Sequence, residues 1–279
     1  MNVFYKSPLN YVGGKFKLLP QIVPLFPNNI DTFYDIFGGG ANVAVNVEAN
    51  KIVYNDINLN VVNILDTFNK NDTSKLLIAI DELIEKYQLS KTNAEGFLKL
   101  REYYNHTSQD PMTLYTLICY AFNYQIRFNN KGEYNMPFGK DRSSFNESLR
   151  KKFISFVDRL HDINISLTNC DFKEFIDLNF GANDFVYCDP PYFNSTATYN
   201  EHDGWNEDNE NHLYDFLNML SNQNIRWALS NNMAVNTMLQ GFCDKFGYKI
   251  HRLNTSYGNC NYHKKDKQTK DCEVLITNY

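Results

Sequence analysis

The chain has 279 residues, 43% hydrophobic and 21% charged, enough to bury one large core or a core carrying a substantial insertion. Nothing in it approaches the ~20 apolar residues of a membrane span, and Lys6 and Pro8 interrupt any leader-like run, so a cytoplasmic protein is expected. A net charge of -5 argues against a protein that coats nucleic acid nonspecifically, yet leaves room for an enzyme with a local basic face.

Residues 7–17 read SPLNYVGGKFK. Gly13-Gly14 makes a tight turn that lets Lys15 and the Tyr11 ring approach a small ligand, although a plain glycine turn leaves the same trace. Lys17–Phe26 reads as a short helix stopped by Pro27. Phe33–Phe37 is β-rich and breaks into Gly38-Gly39-Gly40, after which Ala41–Ala49 has the pattern of a helix. A second strand, Lys51–Tyr54, ends at Asn55-Asp56. Strand, glycine turn and helix, with an acid about 20 residues on that holds a ribose diol, opens a nucleotide-binding βαβ unit. The loop lacks the Gly-x-Gly-x-x-Gly spacing used to approach a pyrophosphate. That favours an adenosyl ligand without phosphates, S-adenosyl-L-methionine, over NAD.

From Asn58 to about Leu160 the pattern turns helical, with apolar residues three and four apart in Ser74–Leu89 and Asn93–Asn105, and Pro111 opening a helix from Met112 to about Tyr124. This block interrupts the strand–helix alternation, so residues 61–160 are expected to be an inserted subdomain within a domain formed by 1–60 and 161–279. Inside it, Gln125–Asn129 and Gly132–Pro137 flank Asn130-Lys131 and read as a β-hairpin. Alternation puts Gln125 and Arg127 on one side of the first arm, and their forked groups are types that read adenine and guanine edges. Lys131–Lys152 carries six basic residues against three acidic, which makes it the favoured phosphate-contacting face over a merely solvated basic surface.

The alternation resumes with a strand at Ile163–Leu167, a helix at Phe172–Leu178 and the apolar run Phe185-Val186-Tyr187. That run delivers Asp189-Pro190-Pro191-Tyr192. Two prolines cannot continue a sheet ladder, so the strand stops with the Asp189 carboxylate and Pro190 carbonyl held at its carboxyl end, where open α/β sheets bind ligands. A rigid pair of acceptors beside an aromatic ring suits a planar substrate with an exocyclic amino group. Taken alone, the motif is equally a strand-ending turn. Asn194–Asp208 reads as a mobile loop, Asn209–Leu220 as an amphipathic helix, and Ile225–Ser230, Tyr248–Arg252 and Val274–Ile276 as strands, with a lysine-rich loop at Gly258–Lys270. The six cysteines and six histidines show no metal-ligand spacing, so no metal site is expected and the cysteines read as reduced packing residues.

In order along the chain, PLNYVGGK, DIFGGG, YND, NYQIRFNNKGEYNMPFG, DPPY and ALSNN resemble the motifs of the Dam-type DNA adenine-N6 methyltransferases (D12 class, alpha group), over nearly the full length. The resemblance implies a Rossmann-like, S-adenosylmethionine-dependent methyltransferase fold with a mainly helical target-recognition subdomain bearing a β-hairpin. It implies cofactor contacts from Tyr11, Lys15, Asp56 and Asp189, with Asp35 and the loop from Gly38 to Gly40 around the methionine moiety. Asp189, Pro190 and Tyr192 would handle an extruded adenine, and Phe122, Asn123, Arg127 and Pro137 fall where the family contacts DNA, beside Gln125 and Lys131 from the hairpin reading. The implied partners are duplex DNA and, in a restriction–modification context, a cognate endonuclease; a phage or orphan context needs none. No membrane contact is expected, and the chain is expected to be a monomer or weak dimer. Where the family has a small or aliphatic residue this chain has Tyr124 and Gln125, a departure that weakens the default assignment to a GATC target without replacing it. Three other readings remain open at this level, the first being the same reaction on an RNA substrate. Cytosine-N4 methylation is usually paired with Ser rather than Asp at the first motif position, and a DNA-binding protein with an inactive methyltransferase fold would bind DNA without cofactor.

Overall fold

The computed structural model describes residues 4–194, 204–254 and 272–279. Of the expected loop Asn194–Asp208, residues 195–203 lie outside the described residues, as does all of Gly258–Lys270. The strands are β1 (Ile30–Asp35), β2 (Ala49–Asn55), β3 (Ile165–Thr168), β4 (Phe185–Cys188), β5 (Arg226–Asn232), β6 (Lys249–Arg252) and β7 (Glu273–Thr277). They form one seven-stranded sheet in the order β3-β2-β1-β4-β5-β7-β6. The β2–β1, β1–β4 and β4–β5 pairs are parallel, while β7 runs antiparallel to both β5 and β6. The expected Rossmann-like α/β arrangement is present. Its central strand β4 is buried along its whole length, as its uninterrupted apolar run requires.

The helices are α1 (Leu19–Ile22), α2 (Leu59–Lys70), α3 (Thr73–Tyr87), α4 (Ala94–His106), α5 (Pro111–Tyr120), α6 (Glu147–Asp162), α7 (Glu207–Asn222) and α8 (Leu239–Phe246). Among the described residues no helix is long and apolar enough to cross a membrane.

The chain divides into two compact units: residues 1–16, 39–45 and 58–169 form the first, and 17–38, 46–57 and 170–279 the second. The first is built around α5. Asp110 caps this helix by accepting from the Thr113 N–H at 2.8 Å, Pro111 occupies its first turn, and every residue from Met112 to Tyr120 is buried. Phe68 of α2 meets Tyr115 of α5 and Phe153 of α6 edge-on at 5.1 and 5.0 Å between ring centroids. In the second unit Trp227, Phe242 and Tyr248 form a comparable aromatic cluster behind β5.

Several expected elements differ. Lys17–Phe26 is not one helix but a 3₁₀ turn (Lys15–Leu18), α1 and a second 3₁₀ turn (Val23–Leu25), because Pro20 and Pro24 each withhold an amide hydrogen. The helix expected at Ala41–Ala49 is reduced to one 3₁₀ turn, Ala44–Asn46. Ala41 sits at φ 59°, the Asn42 side chain accepts from the Ser7 N–H, and β2 already begins at Ala49. The three β-branched valines of this stretch add nothing to hold a helix. The helix expected to reach Tyr124 stops at Tyr120, since Ala121 is extended and Asn123 and Tyr124 both adopt left-handed backbone. The hairpin arms form no strands; isolated bridges join Phe128 to Tyr134 and Ala121 to Phe138. The strand expected at Ile163–Leu167 starts two residues later, and Phe172–Leu178 yields only the 3₁₀ turn Phe172–Phe175.

Replacing Phe68 by Ala removes a fully buried ring from the first unit. The expected cost is about 3–5 kcal/mol in denaturant unfolding; a loss below about 1 kcal/mol would contradict a close-packed core at this point.

Candidate functional site

Parallel pairing fixes the edge of the second unit where the motifs converge. Asp35, the last residue of β1, is in register with Tyr54 of β2 on one side and Tyr187 of β4 on the other. Asp56 and Asp189 each lie two residues beyond those partners, and the side-chain period of a strand is two. Three carboxylates therefore follow the carboxyl ends of three adjacent strands with the same parity. Asp35 and Asp56 are buried at 1% and 6% exposure, and Asp189 is half-buried. The effect on their neighbours is concerted: burial first, then Asp35 and then Asp189, push the Cys188 thiol well above its usual range. The Tyr187 phenol is likewise pushed up, by burial and then by Asp189.

The strand ends are tied together by backbone and amide bonds. The Ile36 N–H donates to the Tyr187 carbonyl at 3.1 Å, and the Gly38 N–H to the Asn55 carbonyl at 2.8 Å. The Asn55 side chain donates to the carbonyls of Ile36 and Cys170 at 3.1 and 3.0 Å and accepts from the Cys170 N–H at 3.0 Å. Asn55, at the end of β2, thus ties the end of β1 to the residues just before the 3₁₀ turn Phe172–Phe175. The sequence showed it only as the residue before Asp56.

Glycine is needed at residue 38 for a reason other than ligand approach. A Cβ on Gly38 would lie 2.1 Å from the Tyr54 ring, closer than any real contact. In the first unit Gly39 has φ +50°, and a Cβ there would meet the Tyr11 ring at 2.9 Å; at Gly40 one would meet the Leu9 carbonyl and Ser7 hydroxyl at 3.4 Å. The glycine run is therefore packed against the protein's own Tyr54, Tyr11 and Ser7. Lys15 is buried at 5% exposure, and its ammonium donates to the Gly13 carbonyl at 2.8 Å.

After β4 the ladder ends at Cys188, and Pro190 is buried. The Tyr192 hydroxyl donates to Glu273 Oε2 at 2.8 Å, and the Asn232 amide donates to Glu273 Oε1 at 3.3 Å. Burial, then Asp189, then Glu273 push the Tyr192 phenol well above its ordinary value, so it stays a donor at every physiological pH. Tyr187 and Ser230 share a buried hydroxyl–hydroxyl bond of 2.7 Å. A second polar cluster surrounds the fully buried Glu210, which accepts from the Trp205 indole and from the Asn236 amide at 2.6 Å. The Trp205 ring packs on Phe37 and Phe172, each at 5.5 Å between centroids. Neither Glu273 nor Glu210 was singled out in the sequence.

The residues expected at a DNA surface all lie in the first unit. Phe122 is exposed, its N–H donates to the Pro137 carbonyl at 2.9 Å, and the Arg142 guanidinium stands 5.8 Å over its ring. Asn123 is exposed, and its carbonyl accepts from the Asn10 amide at 2.7 Å. The alternation invoked for Gln125 and Arg127 does not operate, since no strand forms there. The Gln125 carbonyl accepts from the Tyr134 hydroxyl at 3.0 Å, while Arg127 donates to Asn135 Oδ1 at 2.9 Å and to its carbonyl at 3.3 Å. Lys131 is exposed at the hairpin tip, where the Asn129 side chain accepts from the Lys131 N–H. The basic stretch 131–152 is itself divided: Arg150 pairs with Asp81 and Lys151 with Glu147, while Lys140 and Arg142 are exposed.

The family described as D12 class N6 adenine-specific DNA methyltransferase matches residues 11–269. The type II methyltransferase M.FokI of Planomicrobium okeanokoites is 48% identical over 100% of this chain and 43% of its own length. The modification methylase StsI of Streptococcus sanguinis is 42% identical over 99% of the chain and 43% of its length, so the chain spans less than half of either. A DNA adenine methylase of Salmonella typhi is 29% identical over 69% of the chain and 66% of its own length. Among solved structures, a precorrin 8W decarboxylase of Methanobacterium thermoautotrophicum covers 98% of this chain and 95% of its own at a TM-score of 0.38 and 11% identity, too slight a likeness to bear on the fold.

Gly38→Ala should lower stability by about 1–3 kcal/mol through overpacking against Tyr54. Chemical denaturation checks this, and a neutral effect would contradict the close approach of ring and backbone.

Proposed function

We propose, because the chain belongs to the D12 class of N6 adenine-specific DNA methyltransferases, that it methylates N6 of an adenine extruded from a short site in duplex DNA. The observation that supports this reading is the register: Asp189 and Pro190 follow the carboxyl end of β4 and Asp56 that of β2, each acid two residues past the strand partner of Asp35.

The three carboxylates of that sheet edge fit S-adenosyl-L-methionine, which presents an ammonium, two ribose hydroxyls and a sulfonium. When bound, this cofactor supplies a methyl group made electrophilic by the positive sulfur. Asp56 would accept from the ribose hydroxyls, and Asp35 would complement the cationic methionine end. The family's pattern adds Gly38 of the second unit and, in the first unit, Tyr11, Gly40 and Lys15 as cofactor candidates, with Lys15 acting through the Gly13 turn it closes. N6 is unreachable while the base is stacked, and extruding it costs a few kcal/mol. Tyr192 offsets that cost by stacking on the adenine. Asp189 and the Pro190 carbonyl accept the two amino hydrogens of N6, which draws the nitrogen out of conjugation and exposes its lone pair. The carboxylate also offsets the positive charge that grows on nitrogen. Phe122, Asn123, Gln125, Arg127, Lys131 and Pro137 form the DNA-facing surface. The names of the M.FokI and StsI relatives favour a restriction–modification setting with a cognate endonuclease as partner.

Asp189→Ala should keep duplex affinity and lose methyl transfer by about 10²–10³-fold or more, read as tritium moved from labelled cofactor to unmethylated genomic DNA; near-normal transfer would rule out this role. Asp56→Ala should weaken cofactor binding about 10–100-fold, the worth of a charge-assisted hydrogen bond, with little change in duplex affinity. Equilibrium titration of each ligand separates the two effects.

A further inference from the structure

We propose that Glu273 is a positioning residue that sets the angle of the Tyr192 ring. Glu273 opens β7, far from the Asp-Pro-Pro-Tyr segment in sequence, and reaches it only because β7 inserts antiparallel between β5 and β6. Its carboxylate is 7% exposed and both oxygens are engaged: Oε2 accepts from the Tyr192 hydroxyl at 2.8 Å, and Oε1 from the Asn232 amide at 3.3 Å. Asn232 is also the register partner of Glu273 across the β5–β7 pair. The anchor for Tyr192 is thus a sheet residue held from two sides.

The motif itself cannot supply this orientation. Two prolines restrain the backbone at residues 190 and 191, whereas the Glu273 bond acts at the far end of the Tyr192 side chain, on the χ1 and χ2 torsions. Beyond the end of β4 at Cys188, the phenol–carboxylate bond holds the far end of the ring. A charge-assisted O–H···O⁻ bond is short and directional, so the ring keeps one pose before any substrate arrives. A stacking platform held in advance presents N6 at one place, and a misplacement of about 1 Å at a reacting centre costs about 10²-fold in rate.

This rests on the reading above that Tyr192 stacks on the target base. Methyl transfer from labelled S-adenosyl-L-methionine to unmethylated bacterial genomic DNA is measured for the wild type, Glu273→Gln, Glu273→Ala, Tyr192→Phe and the double variant Glu273→Ala/Tyr192→Phe. The expected pattern is a fall of about 10–100-fold in kcat for Glu273→Ala, with the cofactor KM within a factor of about three. Glu273→Gln keeps an oxygen acceptor and should recover most of the rate. Tyr192→Phe should fall comparably, and the double variant should be no worse than the lower single, because both changes remove the same bond. Single losses that multiply in the double variant, or a Glu273→Ala enzyme with normal kcat, overturn the assignment while leaving the methyltransferase reading intact. A wild-type protein that binds DNA and cofactor but transfers no methyl group overturns both.

Discussion

The register of one strand with its two neighbours sets everything else. Because β1 pairs in parallel with β2 and β4, with Asp35 opposite both Tyr54 and Tyr187, the chain leaves all three strands on the same edge and places a carboxylate there each time. A one-residue slip in either pairing would turn Asp56 or Asp189 to the other face of the sheet. The slip is prevented by packing: Phe33 and Phe185 stand 5.8 Å apart on one face, Tyr54 fills the space behind Gly38, and Asn55 bonds to both neighbouring segments. On the proposed reading, a ligand with an ammonium, a sulfonium and two hydroxyls binds the acids that this register brings to one edge, which ties cofactor affinity to sheet geometry.

The parts of this edge that were legible in the sequence are those whose signals are local. The run Phe185–Tyr187 stops at two prolines because proline lacks the amide that a ladder needs, and the strand does end at Cys188. The strand leading into Gly38 and the strand ending at Asn55 were visible as β-formers followed by turn residues. The helix expected after the glycines failed for an instructive reason. Its residues are spent on tying the segment 7–9 to the glycine run, through Asn42 and Ser7, rather than on closing helical turns. Tertiary bonds overrode a weak local preference. The hairpin is present only in reduced form: backbone bonds from the Asn129 N–H to the Glu133 carbonyl and from the Asn135 N–H to the Arg127 carbonyl join its arms around the Phe128–Tyr134 bridge, with Arg127 on Asn135 and Asn129 on Glu133 adding side-chain bonds.

What the sequence could not reveal is long-range. Glu273 is separated from Tyr192 by 81 residues, and the antiparallel entry of β7 between β5 and β6 has no local signature. Glu210 looks like an ordinary first-turn acid of an amphipathic helix, yet it is fully buried and holds Trp205 and Asn236. Through Trp205 and its contact with Phe37, the helix after the Asp-Pro-Pro-Tyr segment is coupled to the residues following Asp35. Buried polar clusters of this kind are costly if incomplete, so they fix one arrangement of the strand ends over its alternatives.

The central claim is that the carboxylate edge works on an exocyclic amine of adenine. Mapping modified bases in plasmid DNA from cells that express the chain and lack other methylases tests it most directly. The account predicts N6-methyladenine confined to one short recurring sequence. N4-methylcytosine in its place, or plasmid DNA with no modified base, would contradict it.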